Sequence, residues 1–150
     1  MDWFKIDGRE WKVRVLEPEQ SFQILYSENT GRVIDDRATM ILDPIGTFFN
    51  YKLTVGKKNG ETSDFDDLWE YLATPRKKAM LVVLPRDQKK WETETENGKV
   101  EGFYAYVSSG KRKIKKVIEE KSGELKEVIY DSFDVNFIAS EAQVIPNEQD

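Results

Sequence analysis

The chain has 150 residues, 39% of them hydrophobic, 34% charged and 12% aromatic, with a net charge of −5. That balance describes a folded domain with a core of its own rather than a disordered chain, and it makes a global preference for nucleic acid unfavourable. With no cysteine and no histidine, disulfide frameworks, thiolate or imidazole metal sites and Cys- or His-based catalysis are excluded, leaving only carboxylates, Lys or Tyr for any chemistry.

The opening MDWFKIDGREW has neither a basic start nor an apolar run, so no signal peptide is expected. No stretch reaches the ~20 apolar residues of a membrane span, and no membrane partner is expected. Trp3, Phe4 and Ile6 lead to the turn pair Asp7-Gly8. Trp11, Val13 and Val15 then alternate with Lys12 and Arg14, which predicts an opening β-hairpin. Leu16-Glu17-Pro18 is expected to end that strand. Residues 21–27 read as a second one, with Phe22, Ile24 and Tyr26 on one face. Residues 28–46 read as a long loop with at most one edge strand. Their apolar members predict burial against something, a neighbouring subunit included.

Residues 48–57 alternate cleanly as a strand, and Asn59-Gly60 reads as a turn into the one helix. In SDFDDLWEYLATP, Phe65, Leu68, Trp69 and Leu72 fall at i, i+3, i+4 and i+7, so a helix over about residues 63–74 presents all four as core anchors. Ser63 is the expected N-cap, with Asp66 completing a shortened capping box, and Pro75 stops the helix. Beyond the basic Arg76, Lys77 and Lys78, residues 79–84 are continuously apolar and read as a central strand buried on both faces. Residues 91–95 predict a strand turning at Asn97-Gly98. Residues 103–109 predict one with aromatics on both faces. Residues 111–131 read as a charged hairpin turning at Lys121-Ser122-Gly123. Phe133, Val135 and Phe137 mark a last core strand, and the polar tail from Pro146 is expected to be loose. The whole predicts a single, mainly β domain: an antiparallel β-sandwich or barrel of eight to ten strands, with one short α-helix packed against it.

Several patterns invite a chemical reading. The basic run Lys111, Arg112, Lys113, Lys115, Lys116 follows FYAYV, a stretch that resembles an RNA-recognition strand. Residues 102–107 nevertheless hold one residue too many for that motif, and one extra residue in a strand reverses the side chains. Glu119, Glu120, Glu124, Glu127 and Asp131 are placed to neutralise the basic arm across the hairpin. Carboxylate pairs (Asp35/Asp36, Asp64/Asp66/Asp67, Glu119/Glu120) show neither a glycosidase separation nor a calcium-loop spacing. No enzyme activity and no cofactor are expected. A carbohydrate- or nucleic-acid-binding β-module is the alternative reading, carried for carbohydrate by four Trp and six Tyr and for nucleic acid by the basic run.

The segments DGREWKVRV, SFQILYSENTGRV, DPIGTFFNYKLTV, FDDLWEYLATP, FYAYVSSG and FDVNFIASEAQVIP, in this order, resemble the small tail structural proteins of tailed phages and prophages of Gram-positive bacteria. That resemblance implies a tail-tube-like β-sandwich flanked by a helix. It implies a non-catalytic virion component made in the bacterial host cytoplasm: a ring, commonly a hexamer, of tail tube, tube–baseplate adaptor or distal tail. Its partners would be itself and neighbouring tail proteins, with DNA only as passing cargo. By architecture, the resemblance marks residues 28–46 and 111–131 as assembly elements. Candidate contacts are Arg32, Asp35, Asp36, Arg37, Lys111, Arg112, Lys113, Lys115, Lys116, Glu119 and Glu120.

Overall fold

The computed structural model describes residues 2–58 and 63–146. In chain order it runs β1 (Lys5–Ile6), β2 (Val13–Tyr26), β3 (Gly31–Arg32), β4 (Met40–Ile41), β5 (Pro44–Lys57), α1 (Phe65–Ala73), β6 (Met80–Val83), β7 (Glu92–Thr95), β8 (Gly98–Glu101), β9 (Phe103–Tyr106), β10 (Gly110–Glu119) and β11 (Leu125–Ala139). Strands take 56% of the chain and helix 6%, so the fold is mainly β with one short helix. A curled antiparallel sheet of seven strands carries it, in the order β1-β6-β9-β11-β5-β2, with β10 also pairing with β11. The pairs β3–β4 and β7–β8 stand apart from it.

Alternation along the strands builds the core. Leu53 and Val55 of β5, Val82 of β6, Phe103 and Ala105 of β9, and Phe133, Val135 and Phe137 of β11 are buried, while Lys52 and Asn136 between them face solvent. Helix α1 covers this face. Phe65, Leu68 and Leu72 are buried, and Trp69 packs against the core half-buried. The Phe65 and Trp69 rings lie 5.3 and 5.2 Å from that of Phe133. Each such side chain contributes about 1.5–3 kcal/mol by leaving water.

The structure corrects several expectations. The turn at Asp7-Gly8 is present, both residues having positive φ. The hairpin it closes is limited to one antiparallel bridge, Ile6↔Arg9, hydrogen-bonded in both directions at 3.1 Å. β1 otherwise pairs with β6 and β2 with β5, so Trp11, Val13 and Val15 do not form its second arm. Pro18 does not end a strand. β2 runs through it, absorbing Glu17 (φ 46°) and Pro18 as a bulge on its outer flank. Residues 79–84 supply a strand next to the short edge strand β1 rather than a central one, although Val82 and Val83 are both buried. The loop 28–46 folds as the small β3–β4 pair, and its last residues already belong to β5.

At the helix start the N-cap is Asp64, without a side-chain capping bond. Its carboxylate instead accepts from the Lys12 N–H (2.7 Å) and from the Arg9 guanidinium (3.0 Å). Ser63 Oγ accepts from the Phe65 N–H, at 3.3 Å. The return arm of the charged hairpin and the last core strand are one continuous strand, β11. Among the described residues no ion pair crosses that hairpin, so the predicted neutralisation is not formed by direct pairing. The predicted turn at Asn59-Gly60 and the tail beyond Pro146 lie outside the described residues.

Candidate assembly surfaces

Strand register places two arms at opposite ends of the sheet. β11 and β5 pair from Ser132↔Gly56 to Ile138↔Asn50. The strands run antiparallel, so residues 44–49 of β5 pass one end of this shared ladder and residues 125–131 of β11 pass the other. At ~3.4 Å per residue these extensions are about 20 and about 24 Å long.

The first arm consists of the outer parts of β2 and β5, with β3–β4 at its tip. Its base is the Glu17-Pro18 bulge. Val13 and Val15 face the core before it. Beyond it the even-numbered residues take that side, Gln20 opposite Tyr51, Phe22 opposite Phe49 and Ile24 opposite Thr47. A polar cluster fixes this point. The Gln20 amide donates to Tyr51 Oη (2.6 Å) and to the Arg86 carbonyl (2.9 Å). Trp91 Nε1 donates to the same Tyr51 oxygen (2.6 Å), which itself donates to the Pro85 carbonyl (2.7 Å). Burial pushes the Tyr51 phenol pKa up, against the opposing donors Trp91 and Gln20.

Ten of the sixteen exposed large apolar side chains among the described residues lie between positions 22 and 45, on this arm. Such a concentration marks an interaction surface rather than ordinary scatter. At the tip, Asp35 accepts from the N–H groups of Arg37 and Thr39, both at 3.0 Å. These donors, Thr39 foremost, hold its carboxyl below the usual range. The Arg32 guanidinium donates to the Ala38 carbonyl at 3.0 Å. Arg32 and Asp35 therefore shape the tip, while Asp36 and Arg37 present exposed side chains.

On the second arm, β10 with the first half of β11, Lys111, Lys113, Lys115, Lys116, Glu119 and Glu120 are exposed. Arg112 turns the other way. Its side chain is 14% exposed and pairs with Asp66 at 3.0 Å. Its guanidinium lies 3.5 Å from the Tyr130 ring centroid and 4.7 Å from that of Trp69. Arg112 thus fastens the arm to α1, a clamp that required knowing which aromatics meet there.

Two long strand edges remain open. Among the described residues β2 pairs only with β5, and β10 only with β11, on opposite flanks of the β11–β5 pair. Sequence reasoning missed a groove of about 730 Å³ between the end of α1 and the β9–β10 connection. Leu72, Met80 and Val107 contribute apolar lining and Arg76, Lys77 and Lys78 line it with positive charge. No signal short of the tertiary fold joins residues 72–80 to 105–110.

None of the four tryptophans is exposed: Trp11 and Trp91 are buried, and Trp3 and Trp69 half-buried. Asp64 and Asp66 are committed to Lys12, Arg9 and Arg112. Among the described residues no cluster of carboxylates is placed to hold a metal ion. Comparison with protein-family models, curated proteins and solved structures gives no match.

Proposed function

We propose that this chain is a non-catalytic structural protein of a phage tail, forming a ring in the tail tube, the tube–baseplate adaptor or the distal tail of the virion. The observation that carries this reading is the pair of open edges, β2 and β10, on opposite flanks of one sheet. An open edge is a liability in a monomer and a joint in an assembly. The two edges differ in charge. With Arg112 turned onto α1, β10 bears Lys111, Lys113, Lys115 and Lys116 against Glu119, whereas β2 bears Glu17 and Glu19 against Arg14. Like edges repel and unlike edges attract, which favours a head-to-tail joint over a two-fold one. Head-to-tail joints close into rings or run on as filaments.

The resemblance of its segments to phage tail proteins supplies the biological setting: a homo-oligomer, hexameric by analogy, contacting neighbouring tail proteins and passing DNA through its lumen. Two arms leaving the sheet in opposite directions suit contacts with the rings above and below. Negative-stain electron microscopy of purified protein over a concentration series, with and without tail particles, tests the reading. Rings or tubes of uniform diameter are expected. Monomers under every condition would overturn it.

A further inference from the structure

The groove beside the end of α1 has a lining unlike the rest of this acidic protein. Arg76, Lys77 and Lys78 line it, and among the described residues no carboxylate does. Arg76 is held in place, its guanidinium donating to the Tyr71 carbonyl (2.9 Å) and stacking 3.8 Å from the Tyr71 ring centroid. Lys77 and Lys78 are exposed at the rim. Leu72, Met80 and Val107 give it apolar surface. A site of this volume, apolar within and cationic at its rim, suits a short segment with an apolar residue followed by acidic ones.

The chain carries such a segment. Val144 and Ile145 are exposed, Ile145 by 74%, and Pro146, Asn147, Glu148, Gln149 and Asp150 follow. Pro146 restricts the backbone and lowers the entropy lost on docking. Its direction is fixed by pairing. The Thr47 N–H donates to the Val144 carbonyl (2.8 Å), the Phe49 N–H donates to the Gln143 side chain (2.7 Å), and the bridge is antiparallel. The segment therefore runs from Phe49 toward the outer end of the first arm, away from its own groove.

We infer that the groove between α1 and the β9–β10 connection receives the 144–150 segment of a second copy of this chain. The contact requires two copies and no particular ring, so it goes beyond the function proposed above. Ile145 enters the apolar part, and Glu148 and Asp150 meet Lys77 and Lys78.

The test uses a chain ending at Pro146, which keeps the Gln143 and Val144 pairing, and a fluorescent peptide of residues 143–150. Fluorescence anisotropy should show saturable binding that weakens with salt. Binding should fall at least tenfold for the K77E/K78E protein, and equally for a peptide carrying Ile145→Asp or Glu148→Gln with Asp150→Asn. The peptide changes leave the protein untouched, so a folding defect cannot imitate the result. No binding at millimolar peptide, or equal binding by all variants, overturns the inference. So does full-length protein whose Lys78 resonances match the peptide-bound state at every concentration, because its own tail would then be the occupant. Peptide binding without rings would refute the tail reading alone, and rings without peptide binding would refute this contact alone.

Discussion

Replacing Tyr51 by Phe removes one oxygen from a point where three parts of the chain meet. That oxygen accepts from Trp91 Nε1 and the Gln20 amide and donates to the Pro85 carbonyl. The Phe ring fills the same space, so no cavity term arises. Gln20 keeps its bond to the Arg86 carbonyl. The buried Trp91 N–H loses its acceptor, and an unsatisfied buried donor costs about 1–3 kcal/mol. Adding the partly buried Pro85 carbonyl, the expected loss is about 2–3 kcal/mol, seen as a shifted urea midpoint in tryptophan fluorescence. The substitution should also alter the alkaline limb. The folded-state phenol pKa is raised, so its contribution is complete below the unfolded tyrosine value near ~10 and is lost as pH rises through the folded value. The Phe variant should lose stability less steeply there. Tyr71, whose bond to Asp7 raises its own pKa, keeps part of the slope. A loss below about 0.5 kcal/mol, or an unchanged alkaline limb, would refute the assignment of this oxygen as the anchor of the arm's base.

Arg112→Ala should cost about 1–3 kcal/mol in thermal or urea unfolding, because it removes the stack on Tyr130 and Trp69 together with a half-exposed ion pair; an unchanged midpoint would return Arg112 to the assembly surface. Shortening the second arm around Ser122-Gly123 should leave the melting temperature within a few degrees and abolish ring formation, as read by sedimentation velocity and microscopy. Identical oligomers would show that the arm tip is not a joint. The triple reversal K113E/K115E/K116E should leave circular dichroism unchanged and prevent assembly, and restored assembly at high salt would fit charge repulsion between edges. Unaltered rings would discard the complementary-edge argument.

The core was legible because it obeys simple periods. The spacing of Phe65, Leu68 and Leu72 finds the helix face, and the alternation in β5 and β11 finds the buried side of the sheet. What was not legible depends on partners distant in sequence. Ile6 and Val13 flank a good turn, which closes only as far as the Ile6↔Arg9 bridge; beyond it the sheet offers Val82 and Lys57 as partners, and tertiary pairing prevails over extension of the hairpin. Pro18 reads as a stop because a bulge leaves no trace in composition. Asp64 reads as part of a charged first turn, yet the Lys12 N–H and Arg9 claim its carboxylate. Among the candidate contacts, residue type alone cannot separate Arg112, folded onto Tyr130, from Lys113, left in solvent.

The bulge also allows the fold and the assembly geometry to be separated. Between Leu16↔Thr54 and Glu19↔Lys52, two residues of β2 oppose Leu53 alone. Replacing the Glu17-Pro18 pair by a single valine would make the ladder regular. It would set that valine opposite Leu53, on the core side, and leave Gln20, Phe22 and Ile24 opposite their present partners. The backbone would no longer need a positive φ at residue 17, and the extra local twist of the bulge would be lost. Stability should therefore hold within about 1 kcal/mol, as measured by urea unfolding, because the strained residue and the unpaired one leave together. The arm would leave the sheet at a different angle, and assembly should fail although every apolar residue on it is retained. If the shortened chain forms the same rings, the arm's direction is irrelevant to assembly and its apolar surface serves another partner. If it fails to fold, the core itself depends on the bulge.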